Sequence, residues 1–276
     1  MTDKDRAAAL FDGWEETLIW SALQGVMGRL EWNGDGSAGR ITLGDFCFLA
    51  GKPDRALAET LEAPIVTARE EDWYRLVEEV YGPRAVRQTR YATAKDPSSF
   101  DRRRLAGFIE ALHPGYVLRP MDEAMVPALL AEPWSRDFCS NFDAPADFAR
   151  RGMGIAALWE GVPVAGAASY SVYSGGVEVQ IETREDHRRR GLAKACGAAL
   201  ILACLDRGLY PSWDAQDMRS LALAERLGYR PAGPYPVLWV EGVRLHSVSA
   251  ERAQGPAPPF LRSLNVSAVH VFYPES

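Results

Sequence analysis

Six consecutive residues, Arg188-Arg189-Arg190-Gly191-Leu192-Ala193, carry the clearest chemistry in this chain. Before them, Val177, Val179, Ile181 and Thr183 alternate with Glu178, Gln180 and Glu182, the period of a strand. After them, Leu192, Cys196, Ala199, Leu200, Ala203 and Cys204 recur at helical spacing as far as Arg207. A strand, a basic glycine turn and a helix start make an anion site. The first N–H groups of a helix lack intrahelical partners and carry partial positive charge. Gly191 lets the backbone approach a ligand closely. A phosphate or pyrophosphate is the natural occupant. Taken alone, the three arginines also fit a solvated or nucleic-acid-facing turn.

The spacing Arg-x-x-Gly-x-Ala resembles the acyl-CoA pyrophosphate loop of the GNAT acetyltransferase superfamily, Gln/Arg-x-x-Gly-x-Gly/Ala. Farther on stand Pro211-Ser212-Trp213-Asp214-Ala215 and then Ser220 to Gly228-Tyr229, ending Leu-Gly-Tyr. GNAT enzymes commonly carry an Asn and a helix ending Leu-Gly-Phe/Tyr at this place. The string Leu200 to Ala215, with Gly44 to Gly51 and Trp134 to Phe138, is similar to a bacterial GNAT subfamily that includes zwittermicin A resistance acetyltransferases.

The resemblance implies acetyl-CoA as co-substrate and direct transfer to a primary amine of a small molecule in a ternary complex. The amides of Arg189, Arg190, Gly191, Leu192 and Ala193 would hold the pyrophosphate, and Arg188 would add charge. The backbone of Ile181 and Thr183 would pair with the pantetheine arm, in a wedge between residues 177–183 and 209–214. The attacking nitrogen must be neutral, so a base has to take its proton. A carboxylate whose pKa is raised by burial or a neighbouring acid can do this. Glu178, Glu182 and Asp214 are the candidates. Glu178 and Glu182 share the strand face opposite the apolar one, roughly 13 Å apart, too far to share one proton. Position favours Glu178 as base and Glu182 as substrate-orienting acid. Against this, both also suit an exposed polar sheet face, and Asp214 suits a loop-anchoring acceptor.

Two positions depart from the family pattern. The usual CoA-contacting Asn falls on Asp217, and the Tyr that often protonates the leaving thiolate falls on Ala224. Tyr210, Tyr229, Tyr235 or water would have to supply that proton. The departures also admit a domain that senses acyl-CoA without turnover, and the local arginine patches admit a protein or RNA acetylator. Trp134 and Trp213 are the tryptophans expected near a pocket.

Stepping outward, 276 residues with 47% hydrophobic and 25% charged side chains suit one large domain or two small ones with a sizeable core. A net charge of −6 offers no basic field for nucleic acid. His113, His187, His246 and His270 lack ligand spacing, so no metal is expected. Cys47, Cys139, Cys196 and Cys204 form no CxxC pair and read as buried thiols. The first residues lack an apolar signal core, and the run Gly191 to Leu205 is interrupted by Lys194 and too short for a bilayer. A cytoplasmic protein away from membranes, monomeric or homodimeric, is expected.

The fold class expected is α/β with a mixed sheet: a C-terminal GNAT domain, 114–276, behind a smaller α+β domain, 1–113. Residues 7–30 have helical spacing. Strands are expected at Gly39–Leu43, Phe46–Ala50, Ile65–Thr67 and Val86–Thr93, with helices from Lys52 to Leu61 and Glu70 to Val80. That order resembles the later half of a GNAT domain without a basic turn. It suits a degenerate half-GNAT that does not bind CoA, or an unrelated cap. Beyond the loop Asp96–Asp101, the order matches a GNAT domain, through strands at Tyr116–Arg119, Ile155–Trp159, Pro163–Tyr170 and 177–183 to late strands at Val237–Val240 and Val269–Tyr273.

Overall fold

The structure is a computed structural model that describes residues 2–243. The expected strand Val269–Tyr273 and the loop Gln254–Pro259 lie outside the described residues. Nine α-helices and twelve strands are present among the described residues, and the strands form two mixed sheets. The α/β class expected from the sequence is therefore observed.

The first half begins with α1 (Asp3–Ala9) and α2 (Thr17–Leu23), then β1 (Arg29–Trp32), β2 (Ala38–Leu43) and β3 (Phe46–Gly51). The single helical segment expected over residues 7–30 is thus two short helices and a strand. The break falls at Asp12-Gly13, where Gly13 takes φ +66°, and the Glu16 side chain caps the restart at Thr17. Next come α3 (Arg55–Glu59), β4 (Ile65–Ala68), α4 (Glu71–Tyr81), β5 (Ala85–Thr93) and α5 (Arg102–Glu110).

The second half contains β6 (Tyr116–Pro120), α6 (Val126–Ala131), α7 (Pro145–Arg151), β7 (Gly154–Trp159), β8 (Val162–Tyr173) and β9 (Gly176–Thr183). It continues with α8 (Leu192–Leu205), β10 (Tyr210–Ser212), β11 (Asp214–Ala215), α9 (Met218–Leu227) and β12 (Pro231–Val240).

The five-stranded sheet runs β10-β9-β8-β7-β6, and the seven-stranded one β1-β2-β3-β4-β12-β5-β11. The chain therefore crosses back at its end: β11 pairs with β5, and β12 lies between β4 and β5. The sheets do not follow the sequence division at 113/114. Proline content explains part of this placement. Pro234 and Pro236 sit where β12 pairs only with β5, while β4 pairs at Leu238 and Trp239. A proline cannot donate to a ladder, so it is tolerated where one flank is free. The Pro236 carbonyl accepts the Tyr74 hydroxyl instead.

Two apolar cores follow. Leu49, Val66, Trp73, Val77, Leu238 and Val240 close the α4 side of the larger sheet. Its other face, through Ile41, Phe48 and Ala50, joins the core of the smaller sheet. Within that core α8 is buried on most sides, so Cys196 and Cys204 are desolvated, which pushes their thiols up to about 12. Thiols in that state are inert at neutral pH.

Candidate functional site

The basic turn forms where local sequence demands it. β9 ends at Thr183, a short 3-10 turn covers Glu185–His187, and α8 starts after Gly191. Gly191 is the N-cap residue with φ +80° and offers no side-chain cap. Arg189 is also left-handed, φ +64°. The first helical backbone bond runs from Ala195 N–H to the Gly191 carbonyl, so the amides of Leu192, Ala193 and Lys194 have no acceptor in the helix. A Cβ built on Gly191 meets open space. These features fit a pyrophosphate group, with the helix dipole and the free amides facing it.

The three arginines differ in placement. Arg190 donates to the Tyr116 hydroxyl at 3.0 Å, and Tyr116 also bonds His187 Nδ1 at 2.9 Å. This chain of contacts ties the turn to β6. Burial lowers the His187 pKa, so its ring stays neutral there. Arg188 is more than half exposed, 3.5 Å from Glu182, and its Nε donates to the Thr183 carbonyl at 3.3 Å. Arg189 points its backbone into the turn and its side chain is exposed.

The wedge expected beside β9 has a structural origin. β10 pairs with β9 in parallel only from Gly176 to Glu178. The chain then turns through Trp213, and Asp214 joins the other sheet as β11. Beyond Glu178 that edge of β9 has no neighbouring strand among the described residues. Arg184 N–H donates to Val164 on β8, so by alternation the amides of Thr183 and Ile181 turn toward the wedge. Glu182 Oε1 accepts the Thr183 amide at 3.0 Å. An extended ligand pairing with this edge would take over that amide, and Glu182 and Arg188 would swing aside. The Thr183 hydroxyl is buried without a partner among the described residues.

Glu178 occupies the apex of the wedge, as the last residue paired to β10. Its position on the polar side of β9 suggested an exposed carboxylate, but it is only 5% exposed because α2 covers that face. Thr17, the first residue of α2, donates its hydroxyl to Glu178 Oε2 at 2.5 Å. Glu16 stands next to it. Burial raises the Glu178 pKa and the Asp214 charge adds to this, while Thr17 and Lys95 oppose it. Glu16 is raised to about 8 by burial, then by the charges of Glu178 and Asp214, against Lys95. Asp214 is held differently. Its Oδ2 accepts from Arg90 at 2.6 Å and from the Tyr235 hydroxyl at 2.8 Å. Its Oδ1 is buried without a partner among the described residues.

The structure thus brings Glu178 and Asp214 together and leaves Glu182 apart, beside Arg188 at the end of β9 that leads into the basic turn. Glu16, Thr17, Arg90, Lys95 and Tyr235 complete the cluster. Tyr235 was named in the sequence only as a proton source; the other four were not singled out. Glu16-Thr17 before the apolar Leu18-Ile19 carries a helix-start signal, but nothing in it points to Glu178, 161 positions away. Asp217 caps α9, accepting from the Ser220 amide at 2.8 Å and pairing with Arg219. Ala224 is fully buried on α9.

Of the tyrosines, Tyr229 is locked in the core with its hydroxyl on the Pro211 carbonyl. Tyr210 is half-buried near Glu178 and is pushed up to about 12 by burial, so it keeps its proton. Of the tryptophans expected near a pocket, Trp213 is buried next to Asp214 and Trp134 is partly buried against the core. Trp213 donates to the Ser220 hydroxyl under α9, and Trp134 lies edge-on to Phe138. Among the described residues no group of three His, Cys, Asp or Glu could hold a metal ion, and no helix is long and apolar enough to cross a membrane.

Comparison with known proteins matches this arrangement. A family model described as GNAT acetyltransferase matches residues 8–238. An uncharacterized N-acetyltransferase of Bacillus subtilis, YdfB, is 29% identical over 127 residues, 45% of this chain. That match spans 48% of the curated relative's length. A crystal structure of a GCN5-related N-acetyltransferase-like protein from Streptococcus suis superposes with a TM-score of 0.82 at 41% identity, covering 86% of this chain and 98% of that one. A GCN5-related N-acetyltransferase from Kribbella flavida shares the fold, with a TM-score of 0.52 at 17% identity over 88% of this chain and 96% of its own. The chain belongs to the GNAT acetyltransferase family, a family of acyltransferases.

Proposed function

We propose that the protein is an acetyl-CoA-dependent N-acetyltransferase acting on a primary amine of a small molecule. One observation carries the reading: Glu178, desolvated and held by Thr17, stands where β9 and β10 separate. The acetyl thioester supplies an activated acyl carbon. The free amides at the start of α8 and the open edge at Ile181 and Thr183 orient the donor along β9. Glu178 receives the proton of the arriving ammonium, the nitrogen lone pair then forms the new C–N bond as the C–S bond breaks, and the nitrogen gives up its second proton to water as the amide forms. Asp214, which accepts from Arg90 through Oδ2, leaves Oδ1 as an acceptor for an arriving ammonium. The departing thiolate takes a proton from water or from Tyr210, whose hydroxyl would have to leave the Ala94 carbonyl to which it donates at 3.0 Å. The first half acts as the wall that buries the base, and we assign it no CoA site of its own.

The cluster separates its acids by environment, a pattern that assigns proton roles. Burial raises both Glu178 and Glu16, and the Thr17 hydroxyl opposes the rise at Glu178. The subfamily likeness, an antibiotic-type or metabolite amine, belongs to the same proposal. A cytoplasmic location and the absence of nucleic-acid substrates are part of it too.

The test is release of CoA thiol from acetyl-CoA with a panel of primary amines, with mass spectrometry of the products. Amide products with stoichiometric thiol support the reading. Tight acetyl-CoA binding without any amide product would favour instead a sensor, a reading to which the buried Ala224 lends support.

A further inference from the structure

The larger sheet keeps part of one face open beside the acid cluster. Along β12, Leu238 and Val240 turn into the α4 core, while Val237 and Trp239 turn to the opposite face. Trp239 is 41% exposed, although it is the largest apolar side chain available to that sheet region. Its strand partners are Ile65 on β4 and Val86 on β5, and Val86 is 49% exposed. Between this face and the turn joining β11 to α9 lies a cleft of about 230 Å³. Ile65, Val237 and Trp239 form its apolar wall, and Gln88, Gln216 and Arg90 its polar side, with Asp217 at the rim.

Arg90 links the cleft to the chemistry. Its guanidinium lies 4.9 Å from the Phe46 ring centroid, and its Nε bonds Asp214 Oδ2. Arg90 is therefore already neutralised by a carboxylate and is a poor receptor for a second anion. The Asp214 carboxylate meets Arg90 and the Tyr235 hydroxyl through Oδ2 alone. Asp214 Oδ1 remains buried and without a partner among the described residues, an uncompensated acceptor that costs free energy until a donor reaches it.

We propose that this cleft is the acceptor subsite and that it takes a compact primary amine with an aryl or branched alkyl body. The body lies on Trp239 and Val237, and the ammonium end reaches toward Asp214. This rests on the transferase reading above. An amine bearing a second anionic group is disfavoured, because the only cation lining the cleft among the described residues is paired. Gln88 and Gln216 offer neutral donors and acceptors to a hydroxyl or amide on the body. The size of the cleft suits a molecule no larger than a single aromatic ring with a short chain.

The test uses the full chain saturated with CoA and calorimetric titration of 2-phenylethylamine, n-butylamine and phenylalanine. Alongside it run acetyl-CoA affinity and the acceptor KM of wild type, W239A and W239F. The expected order of binding is 2-phenylethylamine, then n-butylamine, with phenylalanine weakest because of its carboxylate. W239A should weaken 2-phenylethylamine about tenfold, W239F should restore most of it, and acetyl-CoA affinity should not move. Trp239 is exposed, so its truncation should leave the fold intact. Amine binding that depends on Trp239 without acetylation would uphold the subsite and sink the transferase reading. Acetylation of these amines with a KM indifferent to W239A would do the reverse. No amine binding at all, a loss of acetyl-CoA affinity in W239A, or conversion of a dimer to a monomer by W239A would each overturn the subsite, assigning the cleft to no ligand, to the donor or to a second copy.

Discussion

Thr17 donates a 2.5 Å hydrogen bond to Glu178 across 161 residues of chain, from the first turn of α2 to the apex of the strand wedge. A residue of the first half thus lowers the proton affinity of the base we propose in the second. The hydroxyl stabilises the ionised carboxylate and opposes the upward push of burial.

Removing that donor should move the base. In Thr17→Val, the Glu178 pKa rises further, so the acid limb of kcat/KM shifts to higher pH. Turnover at neutral pH should fall about threefold to tenfold, since one hydrogen bond to a charged group contributes about 1.5–3 kcal/mol and solvent recovers part of it. Thr17→Ser should retain the wild-type profile. An unshifted limb in Thr17→Val would separate Thr17 from the base.

Glu178→Gln should lower turnover about 10²–10⁴-fold with acetyl-CoA affinity nearly unchanged. Glu182→Gln should act at the other end of β9. Its carboxylate holds the Thr183 amide and pairs with Arg188, so the change should be in acetyl-CoA binding more than in turnover. Full activity of Glu178→Gln across pH would transfer the base role to Asp214 or to water.

Glu16 gives a stability prediction with a definite sign. Burial and the neighbouring acids hold its pKa in the folded state at about 8, above its ordinary 4.5. A raised acid favours the folded state while it is protonated, and that contribution is lost as pH rises from the unfolded value through the folded one. Between roughly pH 4.5 and 8 the wild type should therefore lose stability relative to Glu16→Gln. The variant should be the more stable above pH 8, by about 2 kcal/mol, less than the whole shift because Glu16 is only partly buried. Denaturant melts at pH 5 and pH 8.5 measure it. Equal differences at both pH values would contradict the buried, repelled carboxylate.

Gly191→Val should abolish acetyl-CoA binding. The side chain would project into the open space before α8 and would also have to adopt φ +80°, a strain of about 1–3 kcal/mol for a β-branched residue. A modest drop in melting temperature should accompany the loss. Arg188→Ala should weaken binding more gently, by about 1–2 kcal/mol. Calorimetry showing wild-type affinity in Gly191→Val would remove the pyrophosphate from this turn.

The strand exchange predicts that residues 1–113 do not fold alone. Without β12, β4 and β5 have no shared neighbour, and the core that includes Leu238 and Val240 opens on the α4 side. An isolated fragment should show no cooperative melt by circular dichroism. A sharp unfolding transition in the fragment would show that β12 is dispensable to the larger sheet.

The strand, basic glycine turn and helix around Gly191 were legible because they are local. Alternation up to Thr183, a glycine with room for positive φ and helical spacing after it lie within one stretch of chain, so backbone rules alone assemble them. The strands β2 to β5 were legible for the same reason, whereas β1 begins inside the span read as helix. The acid cluster was not. Glu178 and Asp214 could be named as candidates, but a carboxylate on the polar face of a strand reads as solvated until α2 covers it. That cover, with Glu16, Thr17, Arg90 and Lys95, arrives from the far end of the sequence, where no spacing relation connects them. The apparent division near residue 113 fails to describe the sheets for a related reason. Sequence order marks where loops fall, whereas strand partners are chosen by which edge can bury Leu238 and Val240 and tolerate Pro234 and Pro236. Local periodicity determined the parts and the basic turn; burial across long chain separations decided which carboxylate lost its water and which cleft was left open beside it.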